Sequence, residues 1–381
     1  MLLKKFSALG TVDVTHAKIG GQLDCTGVTL LGAGSIYTAG EKGNQKGGEK
    51  DMALLARRLV VERGFLFHDF NEASSEEPYG RRVSVTGKMY LHGGHVGDLL
   101  DDVDRWPKGE REIGLAGFTY NRFGISAQQT FAARKNWLSQ RSESSRFYPQ
   151  PYTQLAKVLK GLGNAPEARK VLYERDSLLA DATLRNIRKK PDGNRYLAFE
   201  SPVIEFRTGI HLVVDRMSRW VIGYGHKPWR SLIALFALFV AATTLAHYTW
   251  ENGSFAPNSD VILTSPAWLA VEKLDCVAND DKGNRLPPAP KCIPNPADTW
   301  SKDPAGGLDW DSFNRYGYAA DLVIPILDLG QTDAWAPSKD RGGWGKGLWW
   351  GRWVLAALGW LVTALGVAAI TGIMQRNSPE A

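Results

Sequence analysis

The chain has 381 residues, 44% of them hydrophobic, and a formal net charge of +6, so it is long enough for two or three domains with a sizeable core. The positive charge lies in residues 1–230, which hold 35 Lys and Arg against 25 Asp and Glu, whereas residues 251–347 hold 9 against 14. These basic residues are scattered, without an Arg/Lys-rich helix or interleaved aromatic side chains, so nucleic acid is not an expected partner. The excess instead favours a cytosolic face held near anionic lipid.

Residues 1–125 are Gly-rich and favour β-structure. From residue 11 onward, short apolar patches are separated by Gly turns, as in AKIGGQLDCTGVTLLG and VSVTGKMYLHGGHVGDLL. Patches of this kind cannot bury an apolar face alone and have to stack on one another. The pattern predicts a β-solenoid-like repeat domain.

His92 and His95 form an H-x-x-H with Asp98 nearby. On a helix this spacing would favour a shared metal ion, but the glycines at 93 and 94 indicate a turn, in which the two rings need not converge. No complete nucleotide-binding loop, G-x-S-x-G elbow or Cys-x-x-Cys redox pair occurs in the sequence. We therefore expect no catalytic residue, no cofactor and no metal site.

Residues 126–190 change to helical spacing. Leu155, Val158, Leu159 and Leu162 recur on one face, and Gly163-Asn164 interrupts the pattern before it resumes at Ala165. The segment predicts a helical hairpin similar to a single tetratricopeptide pair. One such pair without neighbours is more often a packing element than a peptide-binding groove.

Residues 191–230 predict an amphipathic juxtamembrane helix. Apolar residues recur at helical spacing from Val203 to Ile222, with Arg207, Arg216 and Arg219 among them. Such a pattern suits a helix that lies on the membrane surface. A core helix is the competing interpretation.

Two apolar runs predict transmembrane helices at residues 231–250 and 348–375. The run Ser231 to Tyr248 has 18 residues without a formal charge, and the run Val354 to Met374 has 21. Either is long enough to cross a hydrocarbon core of about 30 Å at about 1.5 Å per residue. Buried core helices are the alternative. The segment between the spans, residues 251–347, is then a long extracytoplasmic loop.

The charges beside the first span predict its orientation. Basic residues precede this span, and none follows it until Lys273. This asymmetry places both termini in the cytoplasm of a multi-pass inner-membrane protein. The second span alone would give the opposite orientation, but the first span usually dominates. The basic residues before the first span are Arg216, Arg219, Lys227 and Arg230; those before the second are Lys339, Arg341, Lys346 and Arg352.

The loop carries Cys276 and Cys292, which flank a Pro-rich stretch. In an oxidising compartment they are candidates for a disulfide that staples a loop with little core of its own. Two unpaired thiols are the alternative.

A second feature of the loop is the apolar segment 318–330, YAADLVIPILDLG, which is interrupted by Asp321, Pro325 and Asp328. It is too short to span a bilayer, and its length suits a re-entrant segment. Because it lies between two spans, it invites comparison with two-span pore-loop channels, although the T-V-G-Y-G filter of potassium channels is absent. An interfacial helix on the outer leaflet is the alternative.

Four stretches together carry a resemblance: AKIGGQLDCTG, FYPQPYTQLAKVLKGLGNAPEARKVLYERD, VIGYGHKPWRSL and VIPILDLGQTDAW. They are similar to a family of bacterial membrane-anchored proteins with pentapeptide-like or bactofilin-like repeats. The resemblance covers most of the chain. Some members carry the label membrane-associated oxidoreductase, but the family implies no defined activity and carries over no catalytic residue.

The predicted fold class is therefore mixed: a β-solenoid-like domain, a helical hairpin, and two transmembrane helices with a long intervening loop. The leading functional hypothesis is a non-catalytic membrane-anchored scaffold or sensor, whose partners are the lipid bilayer and an unknown cytoplasmic protein. The alternative is an oligomeric channel-like or membrane-perturbing effector, which requires a homo-oligomer because two spans alone cannot enclose a pore. An oxidoreductase is a further alternative that rests on the family label.

Overall fold

The computed structural model describes residues 1–32, 52–70, 81–108, 112–125, 127–139, 147–187, 202–276, 291–304 and 306–371. The chain divides into two compact units, an N-terminal unit from Met1 to Asp215 and a C-terminal unit that begins at Arg216.

Short β-strands joined by tight turns form the first part of the N-terminal unit. They are β1 Ser7–Leu9, β2 Val12–Asp13, β3 Lys18–Ile19, β4 Leu23–Asp24, β5 Thr29–Leu31, β6 Met52–Leu55, β7 Val60–Phe67, β8 Ser84–Thr86, β9 Lys88–Tyr90, β10 His95–Asp101, β11 Ile113–Gly114 and β12 Thr119–Phe123.

The strands pair in parallel and fall into three separate sheets, with the orders β1-β5-β8, β12-β10-β7-β3 and β11-β9-β6-β2. In the largest sheet β4 also pairs with β7. Parallel strands have to be covered on both faces, and most residues of β7 and β10 are buried or half-buried. The core of the unit includes the fully buried Val61, Phe65, Val96 and Leu99.

The predicted β-solenoid is wrong. The described residues form three parallel multi-strand sheets followed by helices, and no closed solenoid occurs among them. The reason lies in the spacing along the chain: the partners Lys18, Val60, His95 and Thr119, which align across one sheet, are unevenly separated in sequence. Gly turns and apolar patches favour parallel pairing, but uneven spacing does not require a regular repeat.

The pairing of β7 and β10 depends on one glycine. The register shifts between Val96 and Asp98, where Gly97 lies. A Cβ atom at Gly97 would lie 2.2 Å from the carbonyl oxygen of Arg63, so only glycine allows the strands to approach here.

Three helices follow the sheets: α1 Phe131–Ser139, α2 Gln150–Gly161 and α3 Ala165–Ile187. Helices α2 and α3 occupy the segment for which the sequence predicts a hairpin. Helix α2 also covers the edge strand β12: Gln150 accepts a hydrogen bond from the Gly117 amide at 2.9 Å and donates to the Phe118 carbonyl at 3.1 Å, and Gln154 donates to the Tyr120 carbonyl at 2.5 Å. These amides satisfy backbone groups that an open sheet edge would expose.

A buried ion pair connects α1 to the end of β10. The guanidinium of Arg134 donates to both carboxylate oxygens of Asp101 at 2.6 Å, and neither side chain is exposed to solvent. Arg134 Nε donates to the Gln128 carbonyl at 2.8 Å, and the Trp106 indole donates to Asp101 at 2.7 Å. The pair is thus bidentate and surrounded by further hydrogen bonds, which is what two buried charges require.

Helix α4, Pro202–Met217, leads into the C-terminal unit and is followed by a π-helical turn at Ser218–Ile222. The remaining elements are α5 Trp229–Glu251, β13 Phe255–Pro257, α6 Asp260–Leu263, α7 Pro266–Glu272, α8 Pro296–Trp300, α9 Arg315–Val323, α10 Gln331–Ala334, β14 Trp335–Pro337 and α11 Gly342–Ile370.

Helices α5 and α11 form an antiparallel pair. Ser231 at the start of α5 lies next to Gly366 at the end of α11, while Thr249 at the end of α5 donates to the Trp344 carbonyl at 3.3 Å. The buried residues of α11 recur at steps of three, four or seven, the spacing of a left-handed helix pair. They are Gly345, Leu348, Leu355, Gly359, Val362, Gly366 and Ala369.

The segment between α5 and α11 has its own aromatic core. Phe255, Trp268, Tyr318 and Trp335 are almost completely buried, and the antiparallel strands β13 and β14 bring both ends of the segment together. Four large aromatic side chains in so short a segment provide the apolar burial that its small size would otherwise lack.

We expect Arg134→Met to destabilise the N-terminal unit by about 3–5 kcal/mol, because it leaves the Asp101 carboxylate buried without its counter-ion. The measurement is the rate at which Cys25 of the full chain is alkylated under native conditions. Cys25 is buried in the same core, and burial raises the pKa of its thiol to about 12, so it reacts after the unit opens. The rate should rise roughly 100-fold or more.

Arg122→Met is the matched control. Arg122 also forms a bidentate pair, with Asp98 at 2.6 and 2.9 Å, but its side chain is largely exposed. Loss of an exposed pair has little effect on stability. Equal alkylation rates in the two variants would contradict the role assigned to the buried pair.

Candidate functional site in the C-terminal unit

Helices α5 and α11 are each long and apolar enough to cross a membrane, by length and composition. Only 17% of the most apolar 18-residue window of α5 is buried, and 28% of that of α11. The core helix of a soluble protein would be mostly buried, so this exposure favours apolar surroundings. The exposed large apolar side chains include Leu232, Ile233, Phe236, Trp353, Trp360 and Ile370.

Helix α9 packs against both long helices. It begins at Asn314, whose side chain accepts hydrogen bonds from the backbone amides of Tyr316 and Gly317 at 2.9 and 3.1 Å. Its buried Ala319 and Val323 share a cluster with Ala242 of α5 and Leu355 of α11. Both partners lie near the midpoints of their helices, so α9 reaches halfway along the pair.

The end of α9 fits against α11 because of Gly359. A Cβ atom at this position would lie 2.0 Å from the carbonyl oxygen of Val323. No side chain fits in that space, so the backbones of α9 and α11 are in direct contact. Glycine at helix contacts allows this close approach in membrane proteins.

Asp321 connects the two limbs of segment 318–330, for which the sequence predicts a re-entrant path. Its carboxylate accepts hydrogen bonds from the amide of Leu329 at 2.8 Å and from the amide and hydroxyl of Thr332, both at 3.0 Å. After α9 the chain therefore reverses direction and returns beside the helix. Three donors on one carboxylate fix the position of the return limb.

Pro325 and Asp328 lie on the part of the segment that follows α9. The helix ends with Ile324 in an extended conformation, and Pro325 cannot continue it because proline has no amide hydrogen. Asp328 is exposed and lies between two exposed leucines, Leu327 and Leu329. Its carboxylate accepts a 3.4 Å hydrogen bond from the Gly330 amide. The three positions singled out in the sequence therefore have different roles: Asp321 lies in α9, and Pro325 and Asp328 lie in the turn that follows it.

Cys276 and Cys292 form a disulfide with a sulfur–sulfur distance of 2.10 Å. Next to it, Asp275 faces the guanidinium of Arg341, with 3.4 Å between Arg341 Nε and Asp275 Oδ2. Arg341, the residue that precedes α11, also donates to Glu272 at 2.5 Å. The disulfide and this ion-pair group hold the start of α11 to the segment before it.

The side chains of the histidine motif in the N-terminal unit each contact a different neighbour. His95 Nδ1 lies 2.9 Å from the Thr119 hydroxyl, the His92 ring packs on the Tyr90 ring at 5.0 Å, and Asp98 bonds Arg122. Over the described ranges, no group of three or more His, Cys, Asp or Glu residues could hold a metal ion.

Comparison of this chain with protein-family models, curated proteins and solved structures finds no match. Function is therefore inferred from the geometry of the C-terminal unit. That geometry places the end of α9 beside the midpoints of two apolar helices, and the exposed Asp328 follows this end in the chain.

Sequence reasoning did not identify Gly359 or Arg341 as site residues. Gly359 lies within an apolar run that contains other glycines, and nothing in the run marks the one that α9 contacts. In the sequence, Arg341 stands out only as a charge beside the second span. Its place directly before a long helix and after a strand is the signal that could have identified it.

We expect Gly359→Ala to destabilise the full chain in detergent, because the added methyl group would overlap the Val323 carbonyl. Overpacking of this kind costs about 1–3 kcal/mol. Gly351→Ala is the control: no heavy atom lies within 4 Å of the new methyl group, and alanine favours the helix by about 1 kcal/mol. Thermal unfolding should therefore shift down for Gly359→Ala and stay unchanged or shift up for Gly351→Ala. The same shift in both variants would argue against the α9–α11 contact.

Proposed function

We propose that this chain is a multi-pass protein of a bacterial inner membrane that assembles into a channel-like homo-oligomer for small cations. The observation that carries the proposal is Asp328, an exposed carboxylate on the return limb of segment 318–330. The proposal follows from the cost of placing that charge in lipid.

The depth of Asp328 follows from the contact between α9 and α11. Gly359 lies roughly 14 Å along the helix axis from Trp350, at about 1.5 Å per residue. In a hydrocarbon core of about 30 Å, a segment that ends beside Gly359 reaches the region of the bilayer centre. Asp328 follows this end by a few residues, so it lies within the membrane if α5 and α11 span it.

An ionised carboxylate at this depth is costly unless it faces protein or water. No described side chain donates a hydrogen bond or salt bridge to Asp328, and its neighbours Leu327 and Leu329 are exposed as well. A second copy of the chain that packs on Leu327 and Leu329 would cover these leucines. The carboxylate of Asp328 would then face a polar space between the two copies. Two spans cannot enclose a pore, so closed cyclic symmetry is required. A ring of aspartates favours cations.

In this proposal the N-terminal unit is the cytoplasmic part, which acts as a scaffold or sensor for a protein partner. Helix α4 supports its place at the membrane, because a row of its apolar side chains at helical spacing is exposed. These side chains are Val203, Phe206, Ile210, Val213 and Val214.

The variant Asp328→Asn tests whether cations pass this carboxylate. The purified full chain should conduct in planar bilayers and favour cations over anions in a salt gradient, and the variant should shift the reversal potential toward zero because the ring of charge is lost. Asp333→Asn is the control, since Asp333 is also exposed but lies in α10, beyond the return limb. A chain that remains monomeric in lipid and shows no conductance would refute the proposal.

The orientation is tested separately. If residues 251–347 face an oxidising compartment, alkylation with denaturation and without reductant should modify only Cys25, and Cys276 and Cys292 should react after reduction. A reporter that works only in the cytoplasm should be active when fused after Ala381, and one that requires export should be active at Asn284. Cytoplasmic activity at Asn284 would reverse the proposed topology.

A further inference from the structure

A cavity of about 640 Å³ lies in the segment between α5 and α11. The strands β13 and β14 line one side, the end of α7 lines another, and Trp349 of α11 lies at its wall. The volume is within the range of small-molecule sites in proteins. None of the functions considered above uses this cavity.

One wall of the cavity is held rigid by Arg341. The residue is only 8% exposed. Its guanidinium donates to Glu272 and to the Phe255 carbonyl at 3.4 Å, and it stacks over the Trp268 ring at 5.1 Å. Asp275, which also faces Arg341, is adjacent to the disulfide. A wall fixed in this way costs little further ordering when a ligand binds.

The charges that remain open in the cavity are of both signs. Glu272 uses only Oε1 for Arg341, and its side chain is 41% exposed, so Oε2 is free to accept a hydrogen bond. Lys273 and Lys339 line the same cavity, and neither ammonium group is paired with another described side chain. Asp340 also lines the cavity but has a partner in the chain.

The cavity also has an apolar side, formed by Leu263, Pro257 and Trp349. The cavity thus offers an open carboxylate oxygen, two ammonium groups and an indole. This combination suits a ligand that carries both a positive and a negative charge. The carboxylate would accept from the ligand's ammonium, the lysines would bind its acidic group, and the apolar side would contact the carbon atoms between or beside them.

We propose that this cavity binds a zwitterion with a primary ammonium and a phosphate group, the chemistry of phosphoethanolamine. The ligand could be a free molecule or the headgroup of a phospholipid, because Trp349 belongs to a helix that qualifies as a membrane span. The site does not depend on the channel proposal, since a monomer contains all of its residues.

The test is binding to the full chain in detergent, measured by calorimetry. The probes are phosphoethanolamine, dihexanoyl phosphatidylethanolamine and dihexanoyl phosphatidylglycerol, which lacks the ammonium group. We expect saturable binding of at least one ethanolamine probe, about tenfold or more tighter than binding of the glycerol lipid. Equal binding of both ethanolamine probes would indicate a free ligand, and binding of the lipid alone would indicate a headgroup.

Variants show which residues bind the ammonium group of the ligand and which bind its phosphate group. Glu272→Gln should weaken binding of the ethanolamine probes to the level of the glycerol lipid. Lys273→Gln combined with Lys339→Gln should weaken binding of every probe that the unmodified chain binds. Lys302→Gln is the control, because Lys302 is an exposed lysine of the same segment paired with Asp298 at 2.7 Å. Retention of the disulfide and of the thermal unfolding temperature would show that a variant is folded.

No saturable binding of either ethanolamine probe to the unmodified chain would overturn the proposal. So would a folded double-lysine variant that binds as well as the Lys302→Gln control. If Glu272→Gln unfolds, the role of the ammonium group is tested by the unmodified chain alone, through its preference for the ethanolamine lipid over the glycerol lipid. No difference between those two lipids would then exclude a role for the ammonium group.

Discussion

The direct contact between Val323 and Gly359 is the constraint on which the C-terminal unit depends. Because glycine has no side chain, the last turn of α9 can lie against the middle of α11 rather than across its end. Asp321 of the same helix holds the returning chain at Leu329 and Thr332. A larger residue at 359 would displace α9, and the turn that carries Asp328 would move with it.

The segment between the long helices has few residues with which to build a core, and it combines several devices to do so. Its aromatic side chains are concentrated in one cluster, a disulfide closes the chain at Cys276, and Arg341 ties the same region to the start of α11. A small core of this kind rarely provides enough stability alone, so covalent and ionic connections supplement it. The rigid cavity wall is a consequence of the same connections.

The sequence predicts well the elements that arise from long, uniform stretches of residues. It predicts poorly the contacts between residues that are far apart in the chain. The apolar runs that become α5 and α11 are visible because every residue of a span meets the same constraint. The solenoid prediction failed because Gly turns and apolar patches specify local pairing but not a constant spacing. The Arg134–Asp101 pair was missed because its partners lie far apart in sequence, and nothing local distinguishes Arg134 from an exposed arginine.

Both units place a buried arginine where a helix begins, and the physical reason is the same in each. Arg134 lies in the first turn of α1 and donates to Asp101 at the end of a strand, and Arg341 precedes α11 and faces the buried Asp275. Burying such a pair contributes little net stability, because desolvation offsets the attraction. The pair instead affects the orientation of the helix. A planar guanidinium that is bound at several points fits one helix orientation, and any other orientation would leave a buried charge unpaired. The arginines thus specify where each helix starts, while apolar packing provides the stability.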